Sequence, residues 1–189
     1  MEFLRTHFFW IDLVIGFSFP AFFYFLYKTG NIERWVWTFF WVGVGFGLLW
    51  EIPIFLLSTE NATYPIIRYL QPLPVHYLIV MVCHALWDGG LFLMGIGLVF
   101  VFVFSPSALR RFSWKELAIF VVWGQLSALS VELLGIFNDG WAYIPGYWWN
   151  PTLFQVKQQS LTLFILFVWF AASILYYLIL LRFHQKKRM

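Results

Sequence analysis

Apolar residues run along this chain in five long blocks, and the short segments between them hold most of its charges. A helix rises about 1.5 Å per residue, so each block is long enough to cross a hydrocarbon core of about 30 Å. The sequence therefore predicts an all-α integral membrane protein, a five-transmembrane-helix bundle that forms one domain over residues 1–189. The predicted spans are residues 8–27, 35–58, 75–104, 116–137 and 161–181.

The basic residues predict the orientation of the chain. In a five-span protein, nine of the 12 Lys and Arg residues fall on one side of the membrane, and positively charged loops stay cytoplasmic. The amino terminus is therefore expected outside or in the lumen, and the carboxyl terminus in the cytoplasm. The glycosylation sequon Asn61-Ala62-Thr63 then lies outside. The ending Lys186-Lys187-Arg188-Met189 resembles a dilysine retrieval signal, which indicates the endoplasmic reticulum if the source is a eukaryote.

Composition narrows the class of protein. Of the residues, 62% are hydrophobic and 11% are charged, a balance typical of a protein that lies in lipid. The net charge of +3 comes from short clusters at helix ends, so no nucleic-acid partner is expected. The single cysteine, Cys83, excludes a disulfide framework. The sequence leaves open whether the chain forms a homodimer.

Several ionisable side chains lie inside the predicted spans, where each acid costs roughly 2.5 to 3.5 kcal/mol near the helix centre. Counting residues from the span ends places them all in the middle-to-outer layer of the membrane. No Lys or Arg lies deep in a span to neutralise them, so neutral, proton-donating carboxylic acids are expected for part of the set. The four predicted catalytic residues are Glu51, His84, Asp88 and Glu132, with Asp12 near the rim.

Aromatic residues make up 24% of the chain, and several stand beside these acids. Aromatic faces stabilise a cation that lies over them by roughly 0.5 to 2 kcal/mol. Rings in the last loop are expected to form a lid over the pocket. The predicted substrate-binding residues are Trp50, Trp87, Asn138, Asp139, Trp141, Tyr143 and Trp148.

The same residues also fit purely structural roles. Acids within spans serve helix-helix hydrogen bonds, and a Trp at helical spacing is often a packing residue or an interface anchor. Gly43 and Gly47 form a small-xxx-small pair that permits close helix approach. One histidine deep within a span and no Glu-x-x-His motif make a metal site a weak hypothesis. Neither a metal nor another cofactor is expected.

His84 and Asp88 lie four residues apart on one helix face, and a further carboxylate, Glu132, is in the next span. This arrangement resembles the emopamil-binding, or EXPERA, family of sterol isomerases, in which Glu stands at the place of Asp88. The resemblance implies a small endoplasmic reticulum bundle whose acids move a sterol double bond through a carbocation.

Trp50-Glu51 in the second span is similar to the Trp-Glu signature of small integral membrane terpene cyclases, which usually have seven spans. In that family the Glu takes part in acid-initiated cyclisation. The resemblance implies the same role for Glu51.

These observations favour a membrane-embedded isomerase or cyclase that acts on an isoprenoid or sterol-like lipid. A carboxylic acid, Glu51 or Asp88, would protonate a double bond, aromatic rings would stabilise the cation, and Glu132 or His84 would remove a proton. Two alternatives use the same pocket. One is a non-catalytic protein that binds a lipid or small molecule, and the other is a proton-coupled carrier, which the lack of an internal repeat disfavours.

Overall fold

The computed structural model describes residues 2–105 and 108–186. Five of its helices are long and apolar enough to cross a bilayer. The predicted all-α fold with five spans is confirmed, and the chain is an integral membrane protein. The last three residues of the predicted dilysine signal, Lys187 to Met189, lie outside the described residues.

The helices begin and end close to the predicted span limits, and the last one continues past residue 181 to Lys186, so that Arg182 lies on the same helix. A short helix, α1, Glu2–Thr6, precedes the spans. The five long helices are α2, Phe8–Lys28; α3, Arg34–Leu56; α4, Tyr77–Phe102; α5, Trp114–Phe137; and α6, Leu163–Lys186.

The central helix of the bundle is α4, which packs on α2, α3 and α5, while α6 packs on α3 and α5. Glycines allow α3 and α4 to approach closely. A Cβ at Gly43 would lie 2.9 Å from the Cα of Gly89, and a Cβ at Gly47 would lie 2.8 Å from the Cα of Ala85. The small residues expected to permit helix approach therefore lie in the α3–α4 contact.

A small antiparallel sheet, which the apolar pattern of the sequence did not predict, closes one end of the bundle. Its strands come from the loops between α3 and α4 and between α5 and α6, in the order β1-β2-β4-β3. Arg68 pairs with Ala142 across the two loops. The strands are β1, Ile67–Tyr69; β2, Trp141–Tyr143; β3, Thr152–Val156; and β4, Gln159–Thr162.

At the other end of the bundle, a buried carboxylate fixes the loop between α4 and α5. Glu116 in the first turn of α5 accepts hydrogen bonds from the backbone N–H of Leu109, at 3.1 Å, and from the hydroxyl of Tyr177, at 2.9 Å. Leu109 has a positive φ of 60° and is buried. Glu116 therefore has a structural role far from the sheet.

Candidate functional site

A cavity of about 240 Å³ lies within the helix bundle at the end that the sheet covers. Strands β1 and β2 contribute Ile67, Tyr69, Trp141 and Tyr143 to its lining. All four predicted catalytic residues, Glu51, His84, Asp88 and Glu132, also line it, together with the predicted binding residues Trp50, Trp87, Asn138, Trp141 and Tyr143. No Lys or Arg is among the described residues that line this cavity.

The imidazole of His84 lies between two carboxylates from two other helices. Its Nε2 is 3.1 Å from Oδ2 of Asp12 on α2, and its Nδ1 is 3.4 Å from Oε2 of Glu51 on α3. The first contact is a hydrogen bond, and the second is slightly longer than an ordinary one. All three side chains are mostly buried, with 12 to 16% of their surface exposed. An imidazole placed in this way can exchange a proton with either acid.

The position of Asp12 is fixed by the helix that carries His84. The backbone oxygen of Asp12 accepts a hydrogen bond from Nε1 of Trp87, at 3.2 Å, and one from the thiol of Cys83, at 3.4 Å. One turn further along α2, a Cβ at Gly16 would lie 2.9 Å from Cδ1 of Trp87, so only glycine fits there without a shift. Close packing of α2 on α4 therefore holds the Asp12 carboxylate against His84.

Asp88 lies one turn beyond His84 on α4 and is buried between α3 and α4. Its Oδ2 has no hydrogen-bond partner among the described residues, and a Cβ at Gly47 would lie 2.5 Å from this oxygen. A buried, unpartnered oxygen is far less costly on a neutral carboxylic acid than on a carboxylate. The site thus contains one acid for which the neutral form is the less costly state.

Glu132 on α5 accepts two hydrogen bonds from strand β2. Nε1 of Trp141 donates to its Oε2 at 2.8 Å, and the hydroxyl of Tyr143 donates to its Oε1 at 3.0 Å. Burial, together with the Glu132 carboxylate, raises the pKa of Tyr143 well above its ordinary value, so this hydroxyl keeps its proton at neutral pH. Both oxygens of Glu132 therefore have a donor, which suits a carboxylate that accepts a proton or faces a cation.

Aromatic rings form much of the cavity wall between these acids. The ring of Trp141 lies 5.5 Å from that of His84, and the ring of Trp50 lies 5.6 Å from that of Trp169. Trp169 on α6 and Tyr69 on β1 also line the cavity. The wall of the cavity is therefore rich in aromatic rings, whose faces can stabilise a cation.

The cavity reaches the lipid-facing surface between α2 and α5. These two helices make at most slight contact in the part of the chain that the structure describes. Lining residues on both are exposed, Ile15 on α2 at 38% and Leu134 on α5 at 57%. These exposed lining residues place the opening of the cavity on the outside of the bundle, between α2 and α5.

Two of the predicted binding residues do not line this cavity. Asp139 forms an ion pair with Arg5 at the outer face of the sheet end. Trp148 is 93% exposed. The pairing of Asp139 with Arg5 links the loop after α5 to α1, so this acid lies beside the cavity lining rather than in it.

Sequence reasoning placed Asp12 only near the rim and did not identify Tyr69 or Trp169. Counting residues along a helix gives the depth of Asp12 but not the rotation that turns it toward His84. Tyr69 and Trp169 carry no signal in the sequence, because their places depend on the sheet and on the packing of α6. Within residues 2–105 and 108–186, no three His, Cys, Asp or Glu side chains are arranged to hold a metal ion.

Comparison with known proteins finds no family model, no curated protein and no solved structure that matches this chain.

Proposed function

We propose that the protein is a membrane-embedded isomerase or cyclase that acts on an isoprenoid or sterol-like lipid by protonating a carbon-carbon double bond. The observation that carries the proposal is that one cavity contains two carboxyl groups, those of Glu51 and Glu132, with different hydrogen-bonding partners. Glu51 on α3 contacts His84, whereas Glu132 on α5 is held by two hydrogen-bond donors. Such a difference in surroundings separates the roles of proton donor and proton acceptor.

In the first step, Glu51 is the proton donor. Its carboxyl O–H bond breaks as the π electrons of the double bond form a new C–H bond, and a carbocation remains on the neighbouring carbon. Glu51 is left as a carboxylate. The contact between its Oε2 and the His84 ring offers a group that can return a proton to it.

In the second step, the Glu132 carboxylate removes a proton from a carbon beside the cation. The electrons of that C–H bond form the new double bond. If the cation first reacts with another double bond of the same molecule, the product is a ring instead of an isomer. Both outcomes conserve atoms and require no oxidant or reductant.

Between the two steps, the cavity stabilises the carbocation. The rings of Trp50, Trp141 and Trp169 line the space, and the Glu132 carboxylate adds negative charge near it. Water would capture a carbocation, so the apolar lining also protects the intermediate.

The volume of the cavity limits how much of a substrate it can enclose. Its volume of about 240 Å³ is below the roughly 300 to 1,000 Å³ of ordinary ligand pockets, so it holds the reacting part of a lipid. The rest of the molecule extends between Ile15 and Leu134 into the bilayer. The resemblances of His84, Asp88 and Glu132 to sterol isomerases, and of Trp50-Glu51 to terpene cyclases, imply the same chemistry.

The proposal includes an orientation. The basic ends of the helices lie opposite the sheet, so the sheet and the cavity face the outside or the lumen. In a eukaryotic cell, the basic carboxyl terminus would direct the protein to the endoplasmic reticulum.

The test uses the full chain in phosphatidylcholine nanodiscs prepared in D₂O. Farnesol, geranylgeraniol, squalene and a Δ8 sterol are supplied as probe lipids, and the products are analysed by gas chromatography and mass spectrometry. We expect one probe to yield an isomer or cyclised product that carries one carbon-bound deuterium. Glu51→Gln should abolish the product, whereas Glu60→Gln, the same change at an exposed acid outside the cavity, should not.

A cavity open to lipid also favours a second candidate, a protein that binds a lipid without converting it. In that case, lipids that copurify with the protein would be identical in the wild type and in Glu51→Gln, and no carbon-bound deuterium would appear with any probe. A proton-coupled carrier would instead show uptake into proteoliposomes that depends on a pH gradient. Either result would overturn the proposed chemistry.

A further inference from the structure

The proposed reaction leaves a problem of proton supply. Each turnover takes one proton from Glu51 and places one on Glu132, so Glu51 must be reloaded before the next substrate reacts. Among the described residues, His84 is the titratable side chain that contacts Glu51. The nitrogen on the far side of its ring is held by Asp12.

We propose that Asp12 is a positioning residue that orients the His84 ring and stabilises its protonated form. The His84 imidazolium then returns a proton to Glu51, and so reloads it, after each proton donation. The inference rests on the proposed function and extends it to a residue outside the predicted catalytic set. Asp12 does not contact the substrate in this scheme. It acts through the ring that it holds.

Geometry supports this division of roles. Nε2 of His84 lies 3.1 Å from Oδ2 of Asp12, a carboxylate that accepts the Nε2–H, and Nδ1 lies 3.4 Å from Oε2 of Glu51. A carboxylate on one ring nitrogen fixes the orientation of the imidazole and stabilises its protonated form. The longer contact to Glu51 is typical of a catalytic hydrogen bond that shortens when the substrate is bound.

The surroundings of His84 contain no competing cation. The charged or titratable groups that face it are Asp12 on α2 and Glu51 on α3, with Asp88 one turn away on α4 and Glu132 beyond the ring of Trp141. All four are acids. Within the described part of the cavity, the negative charge of these acids therefore favours the protonated, positively charged form of the His84 ring.

The proton balance closes over one cycle. When Glu51 has donated its proton, the Nδ1–H bond of the imidazolium breaks, a new O–H bond forms on Oε2 of Glu51, and the electron pair stays on Nδ1. Nε2–H remains on Asp12. After product leaves, Glu132 releases the proton that it gained to solvent water, and Nδ1 takes up a proton from solvent, which restores the imidazolium.

The backbone contacts of Asp12 strengthen the assignment. Trp87, on the helix that carries His84, donates to the Asp12 carbonyl oxygen, and the absence of a side chain at Gly16 lets α2 lie against it. An acid placed only for solubility or helix packing would not need its backbone fixed by the same helix that its side chain serves.

The kinetic test compares wild type with Asp12→Asn and uses the converted probe lipid. Asp12→Asn keeps the shape of the side chain, and Glu51 starts loaded, so the first turnover should proceed at the wild-type rate. In later turnovers, the return of a proton to Glu51 should limit the rate. We expect a burst of one product per protein, followed by a steady-state rate about 10²-fold below that of wild type.

Controls separate this role from a loss of structure. Asp12→Glu restores a carboxylate and should recover part of the steady-state rate, whereas Glu51→Gln should show no burst. Trp87→Phe removes one support of Asp12 and should lie between wild type and Asp12→Asn. If Asp12→Asn has the same steady-state rate as wild type, or loses the burst together with the steady state, the reloading role is wrong.

A second measurement needs no substrate. The chain contains four histidines, and ring-¹⁵N labelling with His84→Gln as a reference assigns the two signals of His84. Asp12→Asn should shift the Nε2 signal and Glu51→Gln the Nδ1 signal, whereas Glu60→Gln should shift neither. Unchanged Nε2 in Asp12→Asn would overturn the assignment of Asp12 alone. A wild type that converts no probe would overturn the proposed function, and the reloading role with it.

Discussion

Nε1 of Trp141 donates a hydrogen bond of 2.8 Å to Oε2 of Glu132, and this contact joins the sheet to the acid on α5. Trp141 is also packed against Phe8, with ring centroids 5.6 Å apart, and against His84. One residue of strand β2 therefore links the amino-terminal end of α2, the histidine on α4 and the carboxylate on α5. The loop that sequence reasoning expected to be a lid is thus part of the wall of the site.

The first prediction removes this hydrogen bond. Trp141→Phe keeps an aromatic ring but no N–H, so one oxygen of a buried carboxylate loses its donor. We expect the free energy of unfolding to fall by about 1–3 kcal/mol and product formation to decrease. Thermal unfolding in detergent and the deuterium assay measure the two effects. Trp114→Phe, the same change at an exposed residue of the opposite end, is the control, and equal behaviour of both variants would contradict the prediction.

The second prediction concerns the close contact between α3 and α4. A Cβ at Gly47 would lie 2.5 Å from Oδ2 of Asp88 and 2.8 Å from Cα of Ala85, so Gly47→Ala must push the helices apart. We expect a loss of about 1–3 kcal/mol in stability. Gly45→Ala meets no atom within 4 Å and should be neutral or stabilising, by up to about 1 kcal/mol. Similar melting temperatures for the two variants would show that α3 and α4 do not pack closely at Gly47.

The spans and the depth of the acids follow from the sequence, because both depend on one number, the rise per residue of a helix. An apolar segment of 26 residues such as α4 must be helical in a bilayer, because its backbone N–H and C=O groups find no water to bond there. Once its ends are known, the depth of His84 and Asp88 is determined. The same rise places Glu51 and Glu132 at a similar depth on α3 and α5.

The sheet and the partner of His84 do not follow from the sequence. The strands have only three to five residues, and Arg68 pairs with Ala142 from a different loop, so neither carries a local pattern. The contact between Asp12 and His84 depends on how α2 is rotated against α4. The side of α2 that carries Gly16 packs closely on α4, and periodicity in a uniformly apolar helix does not reveal which side that is.

The third prediction tests access to the cavity from lipid. Leu134→Trp places a large ring at the exposed mouth between α2 and α5, where it should hinder the substrate without touching the acids. We expect kcat/KM to fall roughly tenfold, equal to about 1.4 kcal/mol, with little change in kcat. Leu126→Trp, about two turns earlier on the same helix and also exposed, should leave kcat/KM unchanged. An equal loss in both variants would argue against an opening at Leu134.

The fourth prediction separates a structural acid from the acids of the cavity. Glu116 is 2% exposed and accepts hydrogen bonds from Leu109 and Tyr177 at the opposite end of the bundle. Glu116→Ala leaves the buried N–H of Leu109 unpaired, which should cost about 1–3 kcal/mol in thermal unfolding. Glu116→Gln keeps an acceptor oxygen and should cost less. Neither change should alter product formation per folded protein, and a loss of turnover in Glu116→Gln would contradict this division.

The fifth prediction tests the proposed orientation, in which the sheet lies outside and the loop between α4 and α5 lies in the cytoplasm. Glu60 and Arg110 are exposed on these two sides, and the native Cys83 is fully buried, so it should give a low background. In intact bacterial cells, a membrane-impermeant maleimide should label Glu60→Cys at once and Arg110→Cys only after the membrane is permeabilised. If Arg110→Cys is labelled in intact cells and Glu60→Cys only after permeabilisation, the orientation is the opposite one, and the acids of the cavity lie on the cytoplasmic side. Protons for Asp12 and Glu51 would in that case come from the cytoplasmic side.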